Sequence, residues 1–292
     1  MKYTYFPGCA GHATARDQDE STRVLFETLG VELAELSDWN CCGATPGHTV
    51  GGDLGLLLCL KNLGIAADTE YDLLVPCASC YGNLKSAAHA VATHRVPLTL
   101  LEGTNIEMPR KQVEVLSIIS VLSATELLGK IEKSTTVDLS SFNLAPYYGC
   151  LLLRPEDRTG ATNAENPRDM ERVISACGAQ SIEWPYKTDC CGGPNTVGHP
   201  ETVTALSSNL VNKARQFGAD AIVTACPMCH ASLESAQWET LKKSGGSHET
   251  PLPVFYLSEI VATAMGIKRQ RRWLKRHLID PCPLLKSKGV LK

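Results

Sequence analysis

The pattern of apolar and polar positions is repeated in the two halves of this 292-residue chain. Short apolar runs of strand type alternate with longer segments whose apolar residues recur at helical spacing. In the first half the pattern predicts strands over residues 2–6, 31–36 and 73–75, and helices over 20–29, 53–67 and 81–91. In the second half it predicts helices over 170–176, 201–217 and 231–241, and a strand over 221–224. Strands that alternate with helices are typical of parallel sheets.

The order of these elements predicts an α/β fold with two pseudo-symmetric halves, each a small, mostly parallel sheet with flanking helices. Between the halves, the apolar segment VEVLSIISVLSATELLGKIEK at 113–133 predicts a helix that packs on the first half. We therefore expect four parts along the chain: a first cysteine-rich domain over 1–100, a helical connector over 101–145, a second cysteine-rich domain over 146–262, and a basic C-terminal tail over 263–292.

Composition narrows the class of protein. A hydrophobic content of 43% supports a buried core, and a net charge of −3 gives no sign of nucleic-acid binding. The N-terminal sequence lacks the apolar region of a secretion signal. We expect the protein in the cytoplasm, with any membrane contact made through partner subunits. In a reducing compartment, clustered cysteines bind metal or perform redox chemistry more often than they form disulfides.

Cysteine is the most unusual component, with 13 residues. Both halves read Cys, then Cys-Cys-Gly, then Cys-x-x-Cys, and 34 residues separate the adjacent pair from the Cys-x-x-Cys in each half. The first gap is 31 residues in one half and 39 in the other. Ten cysteines thereby form two equivalent sets of five, which we call the first quintet (Cys9, Cys41, Cys42, Cys77 and Cys80) and the second quintet (Cys150, Cys190, Cys191, Cys226 and Cys229).

The quintets lie at predicted strand ends, which is the edge where ligands gather in open α/β sheets. Each Cys-x-x-Cys also precedes a predicted helix, whose free N–H groups and positive dipole end stabilise thiolates. A structural zinc ion takes four ligands and would leave one cysteine over in each half. A redox-active dithiol would leave the adjacent pairs and the repeat unexplained. An iron–sulfur assembly, which takes several thiolates from separated segments, accounts for the whole pattern.

The doubled Cys, Cys-Cys-Gly, Cys-x-x-Cys pattern resembles the B subunit of heterodisulfide reductase and its bacterial relatives in sulfur metabolism, the family with the duplicated CCG motif. The resemblance covers residues 1–260. It implies that each quintet ligates one [4Fe-4S] cluster, and that both clusters are of the noncubane type. One noncubane and one ordinary cubane cluster remain the alternative.

The same resemblance implies a function. It indicates the catalytic subunit of a heterodisulfide reductase-type complex, an oxidoreductase that reduces or forms a disulfide or persulfide at the cluster irons. The substrate can be a small molecule or be borne by a carrier protein. Implied partners are a ferredoxin-like C subunit and, through it, a flavin-containing A subunit. The alternative is a non-catalytic electron-transfer subunit. The sequence itself has no G-x-G-x-x-G motif for a flavin or nicotinamide.

The other notable residues have less specific interpretations. Cys59 and Cys177 are expected in the core and Cys282 in an exposed tail. For Tyr81 and His230, which follow the two Cys-x-x-Cys motifs, and for His12 and His48, the choice lies between local packing and contact with a cluster or substrate. The basic stretch 268–278 predicts a solvated helix, a docking surface for an acidic partner, or a membrane contact anchored by Trp273.

Overall fold

A computed structural model describes residues 1–44, 51, 53–243 and 250–291 of the chain. The described part contains two four-stranded sheets in which every pairing is parallel. The first has the order β2-β1-β3-β4, with β1 at Lys2–Tyr5, β2 at Glu32–Glu35, β3 at Leu73–Val75 and β4 at Val115–Ser117. The second has the order β6-β5-β7-β8, with β5 at Asn143–Tyr147, β6 at Gln180–Ser181, β7 at Ala221–Thr224 and β8 at Val254–Tyr256. The predicted α/β class with two equivalent halves is confirmed.

Helices flank both sheets. Those of the described first half and connector cover Gly8–His12, Arg16–Thr28, Leu54–Ala67, Ala78–Ala92, Ile118–Leu122 and Thr125–Ser134. Those of the second half and C-terminal segment cover Glu156–Thr159, Asp169–Ala176, Pro200–Gln216, Pro227–Lys243, Leu257–Ala264, Gln270–Leu274 and Cys282–Ser287. Single 3₁₀ turns lie at Leu98–Leu100 and Gly193–Asn195.

The segment 113–133 is not the single helix that its apolar spacing predicts. Its first part forms β4, which pairs with β3 and completes the first sheet. The side chain of Ser117 then accepts a hydrogen bond from the backbone N–H of Ser120, which caps the next helix at Ile118. The β-branched residues around Val115 favour a strand at this position, beside the buried strand β3. The predicted domain limits stay a prediction, and β5 runs across the one at residue 145.

The two halves are joined through the helix Arg16–Thr28 of the first half, which packs against Leu257–Ala264 of the second. Two buried serine hydroxyls, those of Ser21 and Ser258, lie 2.7 Å apart across this contact. The helix begins four residues before its predicted start, because its polar first turn faces the border between the halves and is buried there.

A buried charged group ties the C-terminal segment to both halves. The His277 Nε2 lies 3.0 Å from Glu259 and 3.8 Å from Asp17, and its Nδ1 lies 3.5 Å from Glu234. Burial acts to lower the pKa of His277, but Glu259 and Glu234 outweigh it and raise that pKa to about 11. A charged imidazolium among three carboxylates therefore connects four separate chain segments.

The basic C-terminal segment packs on the protein with one face. Residues Gln270, Trp273, Leu274 and His277 recur at helical spacing and are all buried, whereas the Lys and Arg residues between them are exposed. Only 1% of Trp273 is exposed, so the prediction that it anchors the chain to a membrane is wrong. Cys282 is half-buried rather than exposed. Among the described residues, no helix has the length and apolarity needed to cross a bilayer.

We expect His277→Ala to destabilise the protein strongly, because it leaves three buried carboxylates without their cation. Removing one partner of a buried ion pair costs about 3–5 kcal/mol, equivalent here to a fall in melting temperature on the order of 10 °C. Lys275→Ala, an exposed neighbour, serves as the control and should shift the melting temperature by about 1–2 °C at most.

The pH dependence follows from the raised pKa of His277. Its contribution to stability should be complete below the unfolded pKa of about 6.5 and lost as the pH rises through about 11. Melting curves of wild type and variant that stay equally far apart from pH 6 to pH 11 would contradict this account.

Candidate metal centres

Each quintet is assembled at the carboxyl edge of its sheet. In the first half, the adjacent parallel strands β1 and β3 end shortly before Cys9 and Cys77. In the second half, β5 and β7 end shortly before Cys150 and Cys226. Because the carboxyl ends of parallel neighbours meet at one edge, cysteines that are about 70 residues apart in sequence become neighbours.

The structure brings the cysteines of the first quintet together. Sγ of Cys41 lies 3.5 Å from Sγ of Cys9, and Sγ of Cys42 lies 3.1 Å from Sγ of Cys80. Hydrogen bonding with Cys41 is the main cause of the raised pKa values of Cys9 and Cys42, and Cys77 is near enough to contribute to both. The five thiols therefore share one region of space.

The second quintet has the same arrangement. Sγ of Cys150 lies 3.8 Å from Sγ of Cys190, and Sγ of Cys191 lies 3.5 Å from Sγ of Cys229. Cys226 acts electrostatically on its neighbours in the same way. All thirteen cysteines lie in the described part of the chain and are free, and these sulfur separations far exceed the bond length of about 2.05 Å in a disulfide.

Both quintets have an outer and an inner side. Cys9 and Cys190 are exposed, and Cys41 and Cys150 are half-buried. The other six are buried in the carboxyl edge of the sheets: Cys42, Cys77, Cys80, Cys191, Cys226 and Cys229. Each site is therefore anchored within the fold on one side and open to solvent on the other.

The local electrostatics favour the thiolate form of Cys41 in the first quintet and of Cys190, Cys191 and Cys226 in the second. Hydrogen bonding with Cys42 and Cys9 outweighs burial and holds the pKa of Cys41 well below its ordinary value. The backbone N–H groups of Gly43 and Ala44 add to this effect. A preformed thiolate suits metal binding, because the thiolate rather than the thiol is the ligand.

In the second quintet the hydrogen bond from Cys150 lowers the pKa of Cys190 in the same way. The backbone N–H of Gly192 lies 3.3 Å from the sulfur of Cys190, and that of Gly193 lies 3.4 Å from the sulfur of Cys191. Amide donors around sulfur are one of the means by which proteins tune iron–sulfur centres.

Two glycines that were not predicted as site residues control the packing of the inner sulfurs. Gly8 and Gly149 each precede the first cysteine of a quintet and have φ values of +68° and +66°. A Cβ at Gly8 would lie 3.0 Å from the sulfur of Cys80, and one at Gly149 would lie 3.2 Å from that of Cys229. The signal was present in the repeat, because "PGC" aligns with "YGC".

Gln18 connects the two centres and has no counterpart in the repeat that could have revealed it. Its Nε2 donates to the carbonyl oxygen of Pro76 at 3.3 Å and to that of Ala225 at 2.7 Å. These two residues directly precede Cys77 and Cys226. One buried amide group therefore hydrogen-bonds to the backbone immediately before both Cys-x-x-Cys motifs. In addition, the backbone N–H of Ser79 in the first half hydrogen-bonds to Cys226 in the second.

The two residues that follow the Cys-x-x-Cys motifs, His230 and Tyr81, are held by contacts within the protein. His230 stacks on the Tyr256 ring at 4.2 Å, and its Nε2 meets the carbonyl of Val254 at 3.0 Å. Burial, followed by the charge of His277, lowers its pKa well below the ordinary value. Tyr81 is buried and donates its hydroxyl to the carbonyl of Thr159. Neither residue needs a cluster or substrate to explain its position.

The other residues noted in the sequence lie in the core or pair with neighbouring side chains. Cys59 and Cys177 are buried, and burial raises the pKa of each to about 12, as expected for thiols in a core. His12 lies near the first quintet in sequence but pairs with Glu35 at 3.3 Å and contacts the Trp39 ring. His48 lies outside the described residues.

Fold and site together define an α/β protein of two equivalent halves, with a thiol-rich candidate metal site at the sheet edge of each half. The model of the cysteine-rich CCG domain matches twice, over residues 3–85 and 144–234. The chain therefore belongs to the family of proteins built from this domain.

Relatives match over nearly the whole chain. It is 29% identical to a protein of Wolinella succinogenes named 8-methylmenaquinol:fumarate reductase membrane anchor subunit, over 97% of this chain and 99% of that one. It is 29% identical to an Archaeoglobus profundus protein named as similar to the B subunit of heterodisulfide reductase, over 93% of both chains. It is 24% identical to the B subunit of the ferredoxin:CoB-CoM heterodisulfide reductase of Methanosarcina mazei, over 96% and 94%.

A solved structure supports the fold alone. A hypothetical protein from Helicobacter pylori superposes with a TM-score of 0.70 at 14% identity, over 96% of this chain. This chain spans 52% of the length of that structure.

These findings fit a redox iron–sulfur subunit of a reductase complex. The family, whose relatives include named iron–sulfur proteins, supports iron–sulfur clusters in this chain. The donor set agrees: each half has five convergent free thiols, at least one of which has a lowered pKa, and amide donors lie near sulfur in both halves.

Gly8→Ala should lower the iron content of the purified protein, because the added methyl group displaces the sulfur of Cys80. Gly30→Ala is the matched control: Gly30 has a φ of +71°, but a Cβ there meets nothing within 4 Å. Both variants should lose about 1 kcal/mol from backbone strain, and only Gly8→Ala should lose iron. Equal iron content in the two variants would show that the close contact with sulfur is unimportant.

Proposed function

We propose that the chain is the sulfur-reducing subunit of a heterodisulfide reductase-type complex. In this proposal each quintet ligates one [4Fe-4S] cluster of the noncubane type, through Cys9, Cys41, Cys42, Cys77 and Cys80 in one half and Cys150, Cys190, Cys191, Cys226 and Cys229 in the other. The substrate is a disulfide or persulfide, free or on a carrier protein. A ferredoxin-like subunit would deliver electrons from a flavin-containing subunit.

The observation that carries the proposal is that both quintets are open on one side and lie close to the same border between the halves. A relay of electrons can work from a closed site, whereas cleavage of an S–S bond needs access for two sulfur atoms. The exposed Cys9 and Cys190 mark that open side. Gln18 and the contact of Ser79 with Cys226 hold the two sites together.

The cofactors would supply the electrons, because cleavage of one disulfide takes two electrons and each cluster passes one. The protein contributes position and ionisation. Its strand ends fix five sulfurs per site, and its hydrogen bonds keep Cys41 and Cys190 ready as thiolates. The buried inner cysteines exclude water from the side of each site that faces the core.

A second candidate function is electron transfer without substrate chemistry. One relative at 29% identity is named as the membrane anchor subunit of an 8-methylmenaquinol:fumarate reductase, and the match covers almost the whole of both chains. In that role the two sites would pass electrons between partner subunits. The exposed side chains of Lys268, Arg269 and Lys275 would contribute to docking.

Paired serine variants test whether both sites are needed. We expect Cys41→Ser with Cys42→Ser, and separately Cys190→Ser with Cys191→Ser, each to remove about half of the iron and all disulfide-reducing activity, since each site supplies one electron. Cys282→Ser, a half-buried cysteine outside both quintets, should retain full iron and activity. Full turnover in either double variant would exclude the two-cluster mechanism.

Electron paramagnetic resonance separates the two candidate functions. Oxidised protein treated with a thiol should show a new paramagnetic signal that broadens when the thiol carries ³³S, because the substrate sulfur approaches the iron. An electron relay would show no thiol-dependent signal while still accepting electrons from its partner. Stoichiometric zinc without iron would contradict both functions.

A further inference from the structure

The outer cysteines of the second quintet, Cys150 and Cys190, lie in loops that are tied to each other. Cys150 follows β5, and Cys190 lies in the connection after β6. The backbone N–H groups of Tyr148 and Gly149 both donate to the carbonyl of Lys187, at 2.9 Å and 3.2 Å. The two loops therefore meet directly before the positions of their cysteines.

One buried carboxylate contacts the side chains of both loops. Glu171, on the helix before β6, accepts a hydrogen bond from the hydroxyl of Tyr148 at Oε2, and its Oε1 lies 2.6 Å from Nζ of Lys187. The N–H of Met170 also donates to the Tyr148 oxygen at 2.7 Å, and Nζ of Lys187 donates to the carbonyl of Pro167 at 2.7 Å. We call Tyr148, Glu171 and Lys187 the carboxylate clasp.

The clasp lies in the protein interior. Only 2% of Tyr148, 8% of Glu171 and 4% of Lys187 are exposed. A buried ion pair is often no more stabilising than apolar side chains of similar size, so overall stability alone does not account for its presence here. What a fully hydrogen-bonded buried network does provide is a single fixed geometry. At this place the geometry is that of the two cysteine-bearing loops.

The first half joins its outer cysteines, Cys9 and Cys41, in the same way with different residues. Oε1 of Glu35 lies 3.3 Å from Nε2 of His12, which is on the same short helix as Cys9. The same oxygen accepts a hydrogen bond at 3.1 Å from Nε1 of Trp39, in the segment that leads to Cys41. A link made twice from unrelated side chains belongs to the outer cysteine pair rather than to the local fold.

We propose that Glu171 is a positioning residue of the second metal centre. Through Tyr148 and Lys187 it holds the two loops that carry the outer cysteines. The sulfurs of Cys150 and Cys190 lie 3.8 Å apart, and the clasp keeps them within reach of one cluster. Because these outer thiols are the solvent-facing ligands of the site, the clasp controls how readily the centre loses iron. This inference rests on the proposed ligation of a cluster by the second quintet.

Replacement of the buried ion pair by apolar side chains separates positioning from folding. Glu171→Leu with Lys187→Met fills the same interior space and removes both contacts to the carboxylate, so the melting temperature should change little. A chelator should take iron from the second site about tenfold faster than in the wild type, because loss of a group that orients metal ligands typically has at least this effect.

Cysteine variants assign the effect to one site. The clasp substitutions are placed in the full chain with Cys41→Ser and Cys42→Ser, which leaves the second quintet intact, and separately with Cys190→Ser and Cys191→Ser, which leaves the first. Iron release should be faster in the former background and unchanged in the latter. Equal acceleration in both would show that the clasp acts on the fold as a whole and would overturn the proposal, as would an unchanged rate from the second site.

A second carboxylate supplies the matched control. Asp220 links β5 and β7 at their amino ends, where its Oδ2 accepts a hydrogen bond from the N–H of Asn143 at 2.8 Å and lies 2.9 Å from Nζ of Lys288. Lys288→Met should leave iron release from both sites at the wild-type rate. Glu171→Gln, which keeps the length and one acceptor oxygen, should release iron at a rate between those of the wild type and the double clasp variant.

Tyr148→Phe gives the same test if the double substitution prevents folding. It removes a single hydroxyl and should speed up iron release from the second site about threefold, in line with the loss of one hydrogen bond. Wild-type protein that holds zinc in place of iron would contradict the proposed function, and zinc release is then followed in the same variants. Faster zinc release from the second site alone would still support the clasp, so the two failures are distinguishable.

Discussion

The parallel pairing of β1 with β3, and of β5 with β7, is the constraint on which the rest of the structure depends. Parallel neighbours end at the same edge of a sheet, so this pairing turns distant cysteines into neighbours without any covalent link. The loop with the adjacent pair then completes each set of five. An antiparallel pairing would place the two cysteine-bearing ends at opposite edges and leave no common site.

The contact between the halves includes buried polar groups with specific partners. One amide, that of Gln18, satisfies a carbonyl from each half, and two serines meet across the helix contact. The imidazolium of His277 then connects both halves to the C-terminal segment. Such buried polar contacts are demanding in geometry, so they fix the relative position of the halves more sharply than an apolar surface would.

Apolar spacing predicted the fold class, and the doubled motif predicted which ten cysteines form the two sets that the structure brings together. Both signals are local in the sequence, so no knowledge of the fold was needed to find them. The sequence alone did not predict β4, since Val115–Ser117 lies in an apolar run that fits a strand or a helix until the free edge of β3 is known. It misjudged Trp273, because the basic residues around it dominate the local composition while its burial depends on a distant helix. Gln18 and Asp17 had no signal of their own, because only the contact between the halves gives them partners.

The position of His277 in the chain has a consequence for biosynthesis. The ribosome makes Asp17, Glu234 and Glu259 first, and His277 is the last of the four residues of the buried charged group to be made. Both sheets and their sulfur-bearing edges are therefore synthesised before the imidazole that connects the two halves. The border between the halves therefore gains this cation only after residue 277 has been synthesised, when the sulfur-bearing edges of both sheets are already present.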